Sequence, residues 1–166
     1  MPQARIIEVC DAVVAAVLAE WAALRGSPVA APDECVREYV VPVGPEEIGL
    51  LTGRKVWVAP GGYGGENASR GEDQDQHTVA VIVAERYPDG SKPPREWTDE
   101  RVVFVERLTD LLGNYKPTRD PGPLLVGNPP RRHWTERSQV GVYDWAYLDE
   151  HHCFWSELEF EFRGVR

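Results

Sequence analysis

Residues Gln76 to Tyr87, QHTVAVIVAERY, constrain the fold more than any other stretch. Val79, Val81 and Val83 point to one side of an extended chain, and Ala80, Ile82 and Ala84 point to the other. A strand wetted on one side alternates apolar with polar residues, whereas this composition suits a strand covered on both faces. The run therefore reads as the central strand of a sheet. A polar GEDQDQ leads into it, and Pro88-Asp89-Gly90 turns the chain out again. The spacing then predicts a helix over Thr98 to Tyr115, with Phe104, Leu108, Leu111, Leu112 and Tyr115 as its buried stripe. Thr98 is its expected cap, with Asp99 and Glu100 in the first turn.

The other elements are read around that pair. Ile6, Cys10, Val13, Val17, Trp21 and Leu24 recur at three- and four-residue steps and predict one amphipathic helix over Ile6–Arg25, stopped by Gly26 and Pro28. Cys35–Val43 reads as a strand, with Pro42 marking its end or placing it at a sheet edge, and PEEIGLLTG as a short helix with acids at its positive end. Arg54–Pro60 is a second strand, with Val56 and Val58 opposite Trp57. Residues 61 to 76 lack apolar periodicity and read as a long hairpin loop; residues 116 to 132, rich in proline, read as an irregular crossing. Val140–Tyr147 is a short candidate strand.

Phe154–Val165 shows the clearest alternation. Phe154, Leu158, Phe160 and Phe162 face one way, and Trp155, Glu157, Glu159, Glu161 and Arg163 the other. The expectation is an α+β domain spanning residues 1–166, with two main helices on one face of a mostly antiparallel sheet and a solvated row of acids on the other.

Composition narrows the function classes. At 166 residues, 42% hydrophobic and 27% charged, the chain is an ordinary globular domain. No apolar run approaches the roughly 20 residues that span a bilayer. Glu8 and Asp11 spoil a secretory leader, so assembly inside a cell is expected. A net charge of −9 opposes wrapping of nucleic acid over a broad surface. Cys10, Cys35 and Cys153 are odd in number, widely spaced and read as small core residues.

No motif carries catalysis or ligand chemistry. His151-His152-Cys153 sets adjacent side chains on opposite sides of an extended segment, which is poor chelating geometry. The Gly61–Gly65 run lacks the Gly-Lys-Ser/Thr ending of a phosphate loop. Glu72, Asp73 and Asp75 lack the turn glycine and closing glutamate of a calcium loop. No cofactor and no metal site is expected, and the chain reads as one that binds or assembles.

With that order of elements, the chain resembles the tail terminator and tail-completion proteins of long-tailed bacteriophages and prophages. The resemblance rests on ARIIEVCDAVVAAVLAEW leading to CVREYVVPV, then EEIGLLTGRKVWVAP, then the Ser69-Arg70 region running into QHTVAVIVAER, then TDERVVFVERLTDLL, and finally LDEHHCFWSELEFEFR. It covers most of the chain through pattern and element order; the 61–76 loop and the proline-rich crossing look longer than the family needs. The resemblance implies a virion protein, a subunit of a ring, commonly sixfold, on the head-proximal end of the tail tube. Such a ring stops tube polymerisation and meets the neck proteins on the head side, while DNA passes through without specific binding. Glu157, Glu159 and Glu161 are the expected lumen acids, since like charge repels phosphate. Tyr63, Asn67, Arg70 and Asp73 mark the loop expected to contact a partner; Trp57, Trp134 and Trp155 are candidate subunit anchors, with core packing the more frequent fate of a Trp. A head–tail connector of related fold and a small enzyme or ligand-binding domain are the competing expectations.

Overall fold

A computed structural model describes residues 5–28, 30–41, 45–61, 74–89, 91–114, 118–119, 122–123, 126–127 and 143–165. The elements run α1 (Arg5–Ala19), α2 (Trp21–Arg25), β1 (Glu34–Arg37), α3 (Pro45–Gly49), β2 (Arg54–Pro60), β3 (Gln74–Arg86) and α4 (Arg95–Asn114). They continue as β4 (Thr118–Arg119), β5 (Gly122–Pro123), β6 (Val126–Gly127), α5 (Trp145–His151) and β7 (Cys153–Val165). The fold is α+β. Its sheet is mixed, in the order β1-β2-β3-β7-β6, with β1 and β2 parallel and the remaining neighbours antiparallel.

The sheet forms around β3. All thirteen of its residues pair with β7, from Gln74 opposite Val165 to Arg86 opposite Cys153. On its other side β2 pairs only from Val79 to Glu85. The ends of β3 and β7 around Thr78 and Glu161 thus run on past β2 as a two-stranded arm, which β6 joins at Phe162 and Arg163.

Both faces of β3 are buried, as its composition predicts. Val79, Val81 and Val83 join Val56, Val58, Phe154, Leu158, Phe160 and Phe162 beneath α1, α2 and α4. Ala80, Ile82 and Ala84 join Trp57, Ala59, Trp155, Ile48 of α3 and Tyr147 of α5 on the opposite face. That second layer corrects the expectation of helices on one face only. The α3 part of it follows from β1 and β2 being parallel: the chain must cross back between them, and α3 lies on the sheet along the way. Trp57 and Trp155 sit 6.0 Å apart there, and Tyr147 stacks on Trp155 at 5.1 Å.

Three boundaries differ from those expected, while the stop at Gly26 is as expected. The first helix breaks at Glu20, which leaves the helical conformation (φ −101°, ψ 10°), yet its apolar stripe continues through Trp21 and Leu24. Gly26 ends α2 in the left-handed conformation at φ 88°, its N–H donating to the Ala22 carbonyl. The strand expected over Cys35–Val43 stops at Arg37, and Tyr39 and Val40 project outward before Val41 tucks onto the second face. The second long helix starts at Arg95, so Thr98 is not its cap; the Thr98 N–H donates to the Pro94 carbonyl within the first turn.

The strand expected to reach Tyr147 is instead α5 from Trp145. Asp144 accepts from the N–H groups of Ala146 and Tyr147, a capping arrangement that outweighs the β preference of the flanking aromatics. The loop expected over 61–76 ends earlier, because β3 starts at Gln74; residues 62–73 lie outside the described residues. The proline-rich crossing contains β4, β5 and β6.

The buried second face gives a direct test. Ile82→Ala removes a fully buried side chain from it and should cost about 2–5 kcal/mol, read by denaturant unfolding. A cost below about 0.5 kcal/mol, the scale of a surface substitution, would mean that this face is wet.

Candidate functional site

The three strand acids have different surroundings. In the β3–β7 register Glu157 lies opposite Ile82, Glu159 opposite Ala80 and Glu161 opposite Thr78, so all three share the second face with Trp57 and Trp155. Glu157 is 6% exposed and Glu161 8%, while Glu159 is half-buried. The solvated acidic row is therefore corrected: two of the three carboxylates belong to the covered layer, and Glu159 is the more accessible one.

For the candidate aromatic anchors, core packing prevails over the interface alternative. Trp57 and Trp155 are 4% and 2% exposed and pack in the second core, so in the folded chain they are core residues. Trp134 and the loop residues Tyr63, Asn67, Arg70 and Asp73 lie outside the described residues. Among the described residues the most exposed large apolar side chains are Tyr39, Val40, Leu50 and Trp145, at 62%, 82%, 82% and 60% exposure, with Leu18 and Val103 less so. Arg37 holds the approach to the first two: it pairs with Asp11 of α1, and its guanidinium lies 5.8 Å from the Tyr39 ring.

His151 and His152 form no chelate. His151 closes α5 against Tyr147, and His152 is the left-handed cap at φ 50°. Cys153 begins β7 fully buried. Burial pushes its thiol and those of Cys10 and Cys35 up to about 12, so all three are neutral core groups, as expected. Among the described residues no group of three or more His, Cys, Asp or Glu is placed to hold a metal ion. No helix among them is long and apolar enough to cross a membrane.

The main charged cluster is one that sequence reading missed. Arg54 opens β2 and Glu85 closes the apolar run of β3, and the register sets them directly opposite each other on the α4 face. Arg54 is fully buried, Glu85 6% exposed and Arg101 of α4 5% exposed. Glu85 accepts 2.7 Å from Arg54 Nε, and 3.1 and 2.6 Å from Arg101 Nε and Nη2. Burial pushes the Glu85 carboxyl up, but the Arg101 hydrogen bonds and the charges of both arginines outweigh it and hold the group below the ordinary glutamate value. Each guanidinium also lies over an aromatic ring, Arg54 4.4 Å from Phe104 and Arg101 4.0 Å from Trp97.

Gly53 lets the chain reach this cluster. It takes φ 68°, and a Cβ there would stand 2.7 Å from Pro32 Cγ and 2.8 Å from Asp33 Oδ1. With no side chain in the way, Asp33 accepts 2.8 Å from the Arg54 backbone N–H while pairing with Arg25 at the end of α2. Two sequence signals mark the cluster in retrospect. Arg54 and Glu85 are opposite charges at facing ends of two paired strands, and Arg101 falls on the buried stripe of α4 three residues before Phe104.

Comparison with models of known protein families gives no match, and comparison with curated proteins also gives none.

The cluster predicts a pH dependence. Because the folded Glu85 value is lowered, its stabilisation is complete above the unfolded glutamate value of about 4.3 and is lost as pH falls through the folded value. Glu85→Gln should lower stability at pH 7 by about 3 kcal/mol or more and flatten the loss of stability on acidification, measured by denaturant unfolding from pH 7 to pH 3. Parallel pH curves for the two proteins would show that Glu85 does not carry the coupling.

Proposed function

We propose that this protein is a structural subunit of a bacteriophage tail, forming the terminator ring on the head-proximal end of the tail tube. The observation that carries the reading is the agreement in element order over most of the chain. An amphipathic helix, a strand, a short helix and a strand precede the central strand, the long helix and the final alternating strand. The finer description, a terminator-like sandwich with its main helices α1 and α4 on one face, is part of this proposal.

Two physical features support an assembling role. The β3–β7 pair extends beyond β2, so its backbone ladder continues past the β2 edge. Tyr39, Val40, Leu50 and Trp145 leave large apolar surface in water, and such surface gains free energy when a partner covers it. In this reading those four replace Trp57 and Trp155 as subunit or tube contacts. Each copy brings a net charge of −9, so a ring of copies repels DNA phosphate and lets it pass without being held. Glu159 is the strand acid best placed to contribute. The partners are further copies of this chain, the tube protein and a neck protein on the head side.

The reading is tested on tail tubes polymerised in vitro. Purified protein should bind one end of the tube and stop its growth. Val40→Asp, at an 82% exposed position, should leave unfolding stability within about 0.5 kcal/mol while weakening ring formation and end binding at least tenfold. Binding along the whole tube, or no binding by the wild type, would contradict the terminator reading.

A further inference from the structure

We propose that Arg54 and Arg101 form a carboxylate site that Glu100 occupies loosely, and that an incoming carboxylate displaces Glu100 from it. The starting point is Arg54, whose Nη1 and Nη2 are buried and have no hydrogen-bond partner among the described residues. Its Nε alone reaches Glu85. The Phe104 ring 4.4 Å from its Cζ attracts the cation but has no lone pair for the N–H groups. A buried donor left unmade is costly, so a ligand that closes on these nitrogens is favoured.

Glu100 fills the place without bonding well to it. Its Oε1 lies 3.7 Å from Arg54 Nη2, beyond hydrogen-bonding distance, while its Oε2 accepts 2.9 Å from Arg101 Nη1. Its side chain is 55% exposed, whereas the side chains of Arg54, Arg101 and Glu85 are 0%, 5% and 7% exposed. Glu100 is thus the wet member of an otherwise dry cluster, and its departure into water opens the way to Arg54.

Charge sets the class of ligand. Arg54 and Arg101 bring two positive charges, Glu85 neutralises one, and Arg25 is paired separately with Asp33. One positive charge remains, which a single carboxylate balances. A phosphate dianion would overfill the site beside Glu85. The carboxylate comes either free from solution or from an acidic side chain of a neighbouring copy, a chain with 27 Asp and Glu against 18 Lys and Arg. Only the second source rests on the ring reading.

The test uses full-length wild type and Glu100→Ala, titrated with sodium acetate against sodium chloride at matched ionic strength. Tm and the Arg54 Nε–H resonance are followed. Removing the internal competitor should give a saturable rise in Tm with acetate, at a half-saturating concentration about tenfold or more below that of the wild type. The Arg54 resonance should move over the same range, and phosphate should act no more strongly than acetate. Identical responses in the two proteins, a shift no different from chloride, or tighter binding of phosphate would each overturn the proposal. Once acetate binding is seen, the sources separate by dilution in its absence. A Glu100→Ala Tm that climbs with protein concentration identifies a neighbour's side chain, and a constant Tm identifies a free carboxylate. The acetate titration needs no ring, so its failure leaves the ring reading standing, and failure of tube binding leaves the site standing.

Discussion

Burial of β3 on both faces is the constraint from which the rest of the structure follows. A strand that alternates Val with Ala and Ile must keep water from two sides, and one helical layer can cover only one. The first layer comes from α1, α2 and α4, the second from α3 and α5. The small side chains Ala80 and Ala84 on the second face leave room for Trp57, Trp155 and Tyr147, whose rings fill the space between sheet and short helices. Short helices are marginal by themselves, so α3 and α5 owe their stability to this packing rather than to propensity.

Where the apolar strands end, the fold closes with charge. Arg54 and Glu85 cap the dry ladder of β2 and β3, and Arg101 ties α4 to the same carboxylate. Buried ion pairs contribute little net stability over apolar packing but penalise heavily any arrangement that separates them. A one-residue slip of β2 against β3 would move Arg54 away from Glu85 and onto the wrong face. The cluster therefore acts on register: it makes the alternative pairing costly at the edge of a core whose valines and alanines discriminate only by size.

Much of this was legible in the chain. The two-faced run from Val79 to Ala84, the stripe from Cys10 to Leu24 and the alternation from Phe154 to Phe162 each follow from periodicity, and each is seen. The failures share one physical source. Acids on a strand face are ordinarily wet, so the sequence predicts Glu157 and Glu161 as solvated, but burial is decided by what lies above a face, and both are buried. The sign was local: Asp144 caps a helix whose Tyr147 faces inward, within a segment whose aromatics suggested a strand. Trp57 and Trp155 take the core positions usual for Trp rather than the interface. The Arg54–Glu85–Arg101 cluster depends on strand register and helix placement together, and neither is written in any single stretch of sequence.

A two-layered core carries the exposed side chains of Tyr39, Val40, Leu50 and Trp145 at its surface. A core of this kind holds its shape while exposed side chains make contacts, which is what the proposed ring role requires. The most direct measurement is electron microscopy of phage particles assembled without this gene. The account predicts filled heads beside overlong, irregular tail tubes. Tails of normal length lying detached from heads would place the protein on the connector side, and ordinary infectious particles would contradict a role in the virion altogether.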